Sequence, residues 1–201
     1  MPIKFLANHN TIIFGQTGAG KTHFILDVIR HKLIHPFPNK IYYMYKIRQP
    51  FMDEKRFKDI TFIEGLDFQQ IHTSQASMLV IDDLVLSTNR DVAEVFILGS
   101  HHRQISIFFL TQNLFPNCDL FRLMSANAHY FVIFQNQRNF RQVMTLGRQI
   151  FVGRDIQRIT EAYKRASSKP RGFIVLSFAP QLPNELYVVT DWWEKCPSVY
   201  L

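Results

Sequence analysis

Cysteine is almost missing from this chain of 201 residues: Cys118 and Cys196 are the whole supply, far apart and without CxxC spacing. That excludes a disulfide framework and a cysteine-built metal site, and it reads as two reduced thiols of a cytosolic or nuclear protein. No run approaches the ~18 continuous apolar residues of a membrane span. The opening MPIKFLANHN lacks the apolar core of a secretory signal. Internal repeats and low-complexity tracts are lacking too, which excludes solenoids and linker-like polymers. What is present, 47% hydrophobic and 19% charged residues, describes one α/β-sized globular domain, 1–201, ending in a short tail from about 186.

Acidic residues are also in the minority, 16 against 23 Lys and Arg, for a formal charge of +7. The surplus is local. Arg138 to Arg171 holds nine basic residues and only two acidic ones, Asp155 and Glu161. Such a concentration suits a polyanion-facing surface. A merely solvated segment has the same composition, and composition does not separate the two.

Apolar runs alternate with helical patterns along the chain. NTIIFG, KIYYMYK, ITFIEG, SMLVIDD, ISIFFLTQN, HYFVIFQN, RGFIVLSF and ELYVVT read as strands. Phe24, Ile25, Val28, Ile29 and Leu33 predict a helix from Lys21 to about His35, stopped by Pro36 and Pro38. DVAEVFILGS reads as a helix, the basic segment as two more, and Phe115 to Ser125 receives no assignment. This order predicts a mostly parallel sheet with helices on both faces.

FGQTGAGKTHF, residues 14–24, carries the chemistry. It fits G-x-x-x-x-G-K-[ST] and lies between a predicted strand and a predicted helix, as a phosphate loop requires. Gly15, Gln16, Thr17, Gly18, Ala19 and Gly20 would turn backbone N–H groups onto phosphate oxygens, at the positive end of the helix. Lys21 would reach the β- and γ-phosphates of ATP, and Thr22 would hold Mg²⁺. Asp82, at the end of MLVIDD, supplies the second metal-site carboxylate. Asp83, one residue on, can polarise a water, which favours hydrolysis; the plainer reading is a loop cap. Gln112, closing ISIFFLTQN, would lie near the γ-phosphate if its strand neighbours both motif-bearing strands. Arg103 could act on a neighbour's nucleotide across a subunit boundary. His101 and His102 have no cysteine cluster beside them and are not read as a metal site. Trp192 and Trp193 read as packing residues before ligand-stacking ones.

Five blocks in order, GQTGAGKT, LVIDDL, GSHHRQISIFFLTQNLF, SANAHYFVIFQNQRNFRQVMTLGRQ and AYKRASSKPRGFIVL, resemble the genome-packaging ATPases of the FtsK–HerA superfamily. The similarity runs from about Thr11 to Leu176 and is greatest to packaging ATPases of Polinton/adintovirus-like elements and related double-jelly-roll-capsid viruses. The resemblance implies a P-loop NTPase of RecA/FtsK-like fold that binds ATP and Mg²⁺. Such a motor threads double-stranded DNA into a preformed capsid as a pentameric or hexameric ring, in contact with capsid or vertex proteins. It implies catalytic roles for Lys21, Asp83, Gln112 and Arg103, with Arg138 and Arg141 as rival trans-acting arginines, and metal roles for Thr22 and Asp82. It also implies action at assembly sites in the host nucleus or cytoplasm. Many members of the superfamily carry glutamate at the place of Asp83. A small nucleoside or nucleotide kinase is the competing reading, since its size and phosphate loop fit and NQRNFRQVMTLGRQ can be misread as an arginine-rich lid; a non-hydrolysing nucleotide-dependent scaffold is a third.

Overall fold

Asn10–Phe14 (β2) is buried along its whole length, because Ile12 and Phe14 point to one face of a sheet and Ile13 to the other. The same two-sided burial holds in Lys40–Tyr45 (β4), Ser77–Asp82 (β6), Ile105–Thr111 (β7) and Tyr130–Phe134 (β8). This is why the sequence shows near-continuous apolar runs there instead of alternation. The computed structural model describes residues 3–71, 75–84, 90–102, 104–113, 119–135, 140–150, 155–182, 187–192 and 197–200.

Together with Ile60–Glu64 (β5), these strands form a parallel array in the order β8-β2-β7-β6-β4-β5. Phe173–Ser177 (β9), Val188–Thr190 (β10) and Ser198–Val199 (β11) extend it antiparallel beyond β8, giving nine strands among the described residues. The architecture is α/β with a mostly parallel central sheet.

The two faces are covered differently. Lys21–Arg30 (α1) packs Phe24, Ile25 and Val28 against one face, with Phe5, Met52, Phe57 and Trp192 completing that core. Each such side chain contributes roughly 1.5–3 kcal/mol on burial. The opposite face carries Arg90–His102 (α2), Asp119–Ala126 (α3), Phe140–Ile150 (α4) and Asp155–Ser167 (α5). On α5 the buried stripe is Ile159, Ala162, Tyr163 and Ala166, while Ile156 is only half-buried.

Three differences from the sequence expectations have local causes. Helix α1 ends at Arg30, not near His35. Lys32 adopts a left-handed φ of 50°, and the N–H groups of Lys32 and Leu33 return to the carbonyls of Ile29 and Val28. That Schellman-type end stops the helix before the prolines act. It frees Ile34–His35 (β3) to pair with Phe5–Leu6 (β1) in a small second sheet. The charged connection RQPFMDEKRFKD contains two short 3-10 turns that bury Met52 and Phe57. Within the unassigned segment, α3 forms by packing Phe121 and Met124, a tertiary gain that a short stretch does not advertise.

Candidate functional site

Strand register sets the site. Phe14 pairs with Thr111, Leu110 with Asp82, and Asp82 with Tyr45, so the carboxyl ends of β2, β7, β6 and β4 finish at one edge. Loops leaving these ends converge there, the usual place for a ligand in an open parallel sheet. Strand β7 lies between β2 and β6, which meets the condition set for Gln112.

The loop after β2 begins with Gly15, whose N–H donates to the Thr111 carbonyl at 3.2 Å. A Cβ at Gly15 would sit 2.8 Å from the Cβ of Phe134, so β2 and β8 leave no room for a side chain. Gly18 and Gly20 adopt φ of 79° and 109°, conformations that suit glycine. Helix α1 starts at once with Lys21, only 8% exposed. Its Nζ donates to the carbonyls of Gly15 at 2.6 Å and Gln16 at 3.3 Å. Burial pushes the Lys21 ammonium below its ordinary value, and the negative charges of Asp82 and Asp83 oppose that shift.

Asp82 is the buried acid of the site, 5% exposed. Burial pushes its carboxyl above the ordinary range, while a hydrogen bond from Tyr43 and the charge of Lys21 hold it back. Tyr43, fully buried on β4, donates from its hydroxyl to Asp82 Oδ2 at 2.6 Å and is also hydrogen-bonded to the Thr22 side chain. Burial and the Asp82 charge push the Tyr43 phenol far above its usual range, so it stays a neutral donor. Gln49 Nε2 approaches the same Asp82 oxygen at 3.5 Å. Neither Tyr43 nor Gln49 was singled out from sequence. KIYYMYK has three tyrosines, and only the pairing of β4 with β6 shows which one meets Asp82.

Asp83 leaves the strand with φ of 57°, exposed to solvent. Gln112 Nε2 donates to both its carboxylate oxygens at 2.8 Å, and Gln112 Oε1 accepts from Thr17 Oγ1 at 3.0 Å. One amide therefore links the acid after β6 to the loop after β2. The structure thus brings Lys21, Thr22, Asp82, Asp83, Gln112 and the Gly15–Gly20 loop to one place. Arg141 is exposed on α4. Arg103, Arg138, Trp193, Cys118 and Cys196 lie outside the described residues. Trp192 is core, stacked on Phe5 with ring centroids 5.1 Å apart.

The basic segment divides by position. Asp191 binds Lys169 at 2.5 Å and Arg165 at 3.8 Å, so those two charges are partly met within the chain. Lys164 and Arg171 line an open cleft beside the Gly15–Gly20 loop.

No protein-family model matches the chain, and no curated protein sequence does either. Solved structures do. B204, the DNA-packaging ATPase of Sulfolobus turreted icosahedral virus, superposes with a TM-score of 0.57 at 13% identity, covering 88% of this chain and 95% of that one. The genome-packaging NTPase B204 of Sulfolobus turreted icosahedral virus 2 gives 0.55 at 13% in complex with sulfate, covering 87% and 93%. In complex with ATP-gammaS it gives 0.55 at 12%, covering 96% of both chains. At such identities the likeness speaks for the fold: this chain has the architecture of these P-loop NTPases.

Proposed function

We propose that this chain is an ATP-hydrolysing motor that moves double-stranded DNA into a preformed viral capsid, working as a ring of five or six copies. The observation that carries the hydrolytic part is the Thr17–Gln112–Asp83 chain. It ties a solvent-facing carboxylate, suited to taking a proton from water, to the loop that holds phosphate. A kinase would use such an acid on an acceptor hydroxyl, so the acceptor decides between the two readings.

Thr22 and Asp82 offer a hydroxyl and a carboxylate, the hard oxygen donors that Mg²⁺ takes, and Tyr43 touches both. Bound there, Mg²⁺ would offset charge developing on the β- and γ-phosphates. Lys21 turns from the loop carbonyls to the phosphates, Gln112 reports the terminal phosphate to Asp83, and Asp83 orients the water. The neighbours, named as a DNA-packaging ATPase and as a genome-packaging NTPase in complex with ATP-gammaS, support reading the output as DNA movement. So does the cationic segment around α4 and α5, since a motor needs strong phosphate contacts without sequence preference. Membership of the FtsK–HerA packaging ATPases, closest to the Polinton/adintovirus-like branch, belongs to this proposal. So do a capsid or vertex partner and action at nuclear or cytoplasmic assembly sites.

The test is phosphate release from ATP with and without double-stranded DNA, with oligomeric mass measured in the same samples. Stimulation by DNA in an assembled species is expected. Phosphoryl transfer to a nucleoside or nucleotide acceptor would replace the motor with a kinase.

A further inference from the structure

Asp82, Asp83 and Gln112 stand at the ends of β6 and β7, on one flank of β2; β8 occupies the other flank. A triphosphate seated on the Gly15–Gly20 loop with its terminal phosphate toward those groups must send its nucleoside the opposite way. On that opposite flank an open cleft of about 1130 Å³ lies against Gln16–Ala19. Its remaining wall comes from Gln135 at the end of β8, Phe140 at the start of α4, Tyr163 and Lys164 on α5, and Ser168 and Arg171 beyond it.

The wall has the chemistry of a nucleoside site. Phe140 packs on the buried Tyr163 with centroids 5.6 Å apart, which leaves the half-buried Phe140 ring as an apolar aromatic surface suited to a base. Gln135 and Ser168 bring amide and hydroxyl groups for the polar edge of a base. Arg171 presses against the loop itself, its Cδ 3.4 Å from where a Cβ of Gly20 would stand. It holds that place through a left-handed φ of 55°. Pockets for small ligands run to about 300–1,000 Å³, so a whole nucleoside enters without displacing the wall.

We infer that this cleft binds the nucleoside of the triphosphate, with Phe140, backed by Tyr163, as the base platform and Lys164 and Arg171 flanking the sugar and phosphates. The inference rests on the nucleotide-site reading above and withdraws these two cations from the DNA-facing surface.

Calorimetric titration of the full chain in Mg²⁺, with ATP and with inorganic tripolyphosphate, tests it. Phe140→Ala should weaken ATP about tenfold, the scale of one lost base–aromatic contact, and leave tripolyphosphate unchanged. Ser168→Trp, which fills the cleft from an exposed position, should do the same without touching the core. Three results would overturn the inference: both variants binding ATP like the wild type, equal loss of both ligands, or lost double-stranded DNA affinity with ATP binding intact. Wild-type protein that binds tripolyphosphate and ATP equally well removes the nucleoside cleft alone. Wild-type protein that binds neither removes the phosphate-loop reading with it.

Discussion

Asp82 holds opposing demands at one carboxylate. The proposed cation role requires it to stay charged, yet burial, and then the neighbouring Asp83, raise its proton affinity. Tyr43 and Lys21 are what keep the charged form tolerable. Tyr43→Phe removes the neutral donor and leaves the ring volume in place. A hydrogen bond to a buried charge is worth about 1.5–3 kcal/mol, so the metal-free variant should be less stable by that order at neutral pH. The sign with pH follows from Asp82, whose folded value lies above the ordinary 3.8 and rises further in the variant. Below 3.8 both states are protonated and the loss is smallest; it grows as pH rises past the wild-type folded value and is complete above the variant's higher one. Thermal melts of wild type and variant from acid to neutral pH check this, and phosphate release should need more Mg²⁺ in the variant. A gap in melting temperature that stays flat from acid to neutral pH would mean that the Tyr43 hydroxyl does not hold the Asp82 charge.

At the scale of elements, the turn from α5 into β9 is the most constrained junction described. A Cβ on Gly172 would lie 1.8 Å from the carbonyl oxygen of Ala166, itself the acceptor for the Lys169 N–H. Gly172→Ala therefore cannot be absorbed by a side-chain shift; backbone must move. A cost of about 1–3 kcal/mol is expected, read as a lower melting temperature. ATP binding should fall with it, because Arg171 is placed by the same turn. Sequence patterns reveal α5 and β9 separately: the apolar stripe and the run FIVLS are plain. The closeness of their junction is not legible, since it depends on how α5 lies across the sheet. Helix α3 is the same lesson reversed. Eight residues propagate too little helix to show in pattern, and packing of Phe121 and Met124 forms it.

For the whole molecule, the charge of +7 is one number with several destinations. Asp191 takes Lys169 and Arg165, the cleft takes Lys164 and Arg171, and Arg141 and Arg148 stand exposed on α4. A DNA motor would use the last group, with a ring to place them. If Arg103 acts across a subunit boundary, mixing Arg103→Ala chains with Lys21→Ala chains should restore part of the ATPase activity that each lacks alone. Each mixed interface can then pair an intact loop with an intact arginine. No recovery at any mixing ratio would remove Arg103 from that role and leave Arg138 and Arg141 to be tried.

Sequence by itself determined the glycine-rich turn between a strand and a helix, the buried strands and the carboxylates at a strand end, because these depend on residue spacing along one continuous segment. G-x-x-x-x-G-K-T is read within eight residues, and MLVIDD within six. Tertiary structure alone decided that β7 separates β2 from β6, so that one glutamine spans Thr17 and Asp83. It alone chose Tyr43 among three tyrosines, and it alone drew Phe140, Tyr163 and Arg171 to one cleft. The reason is physical. Local pattern records which way a side chain points from its own element, whereas a site is made where separate elements end, and sheet order sets that.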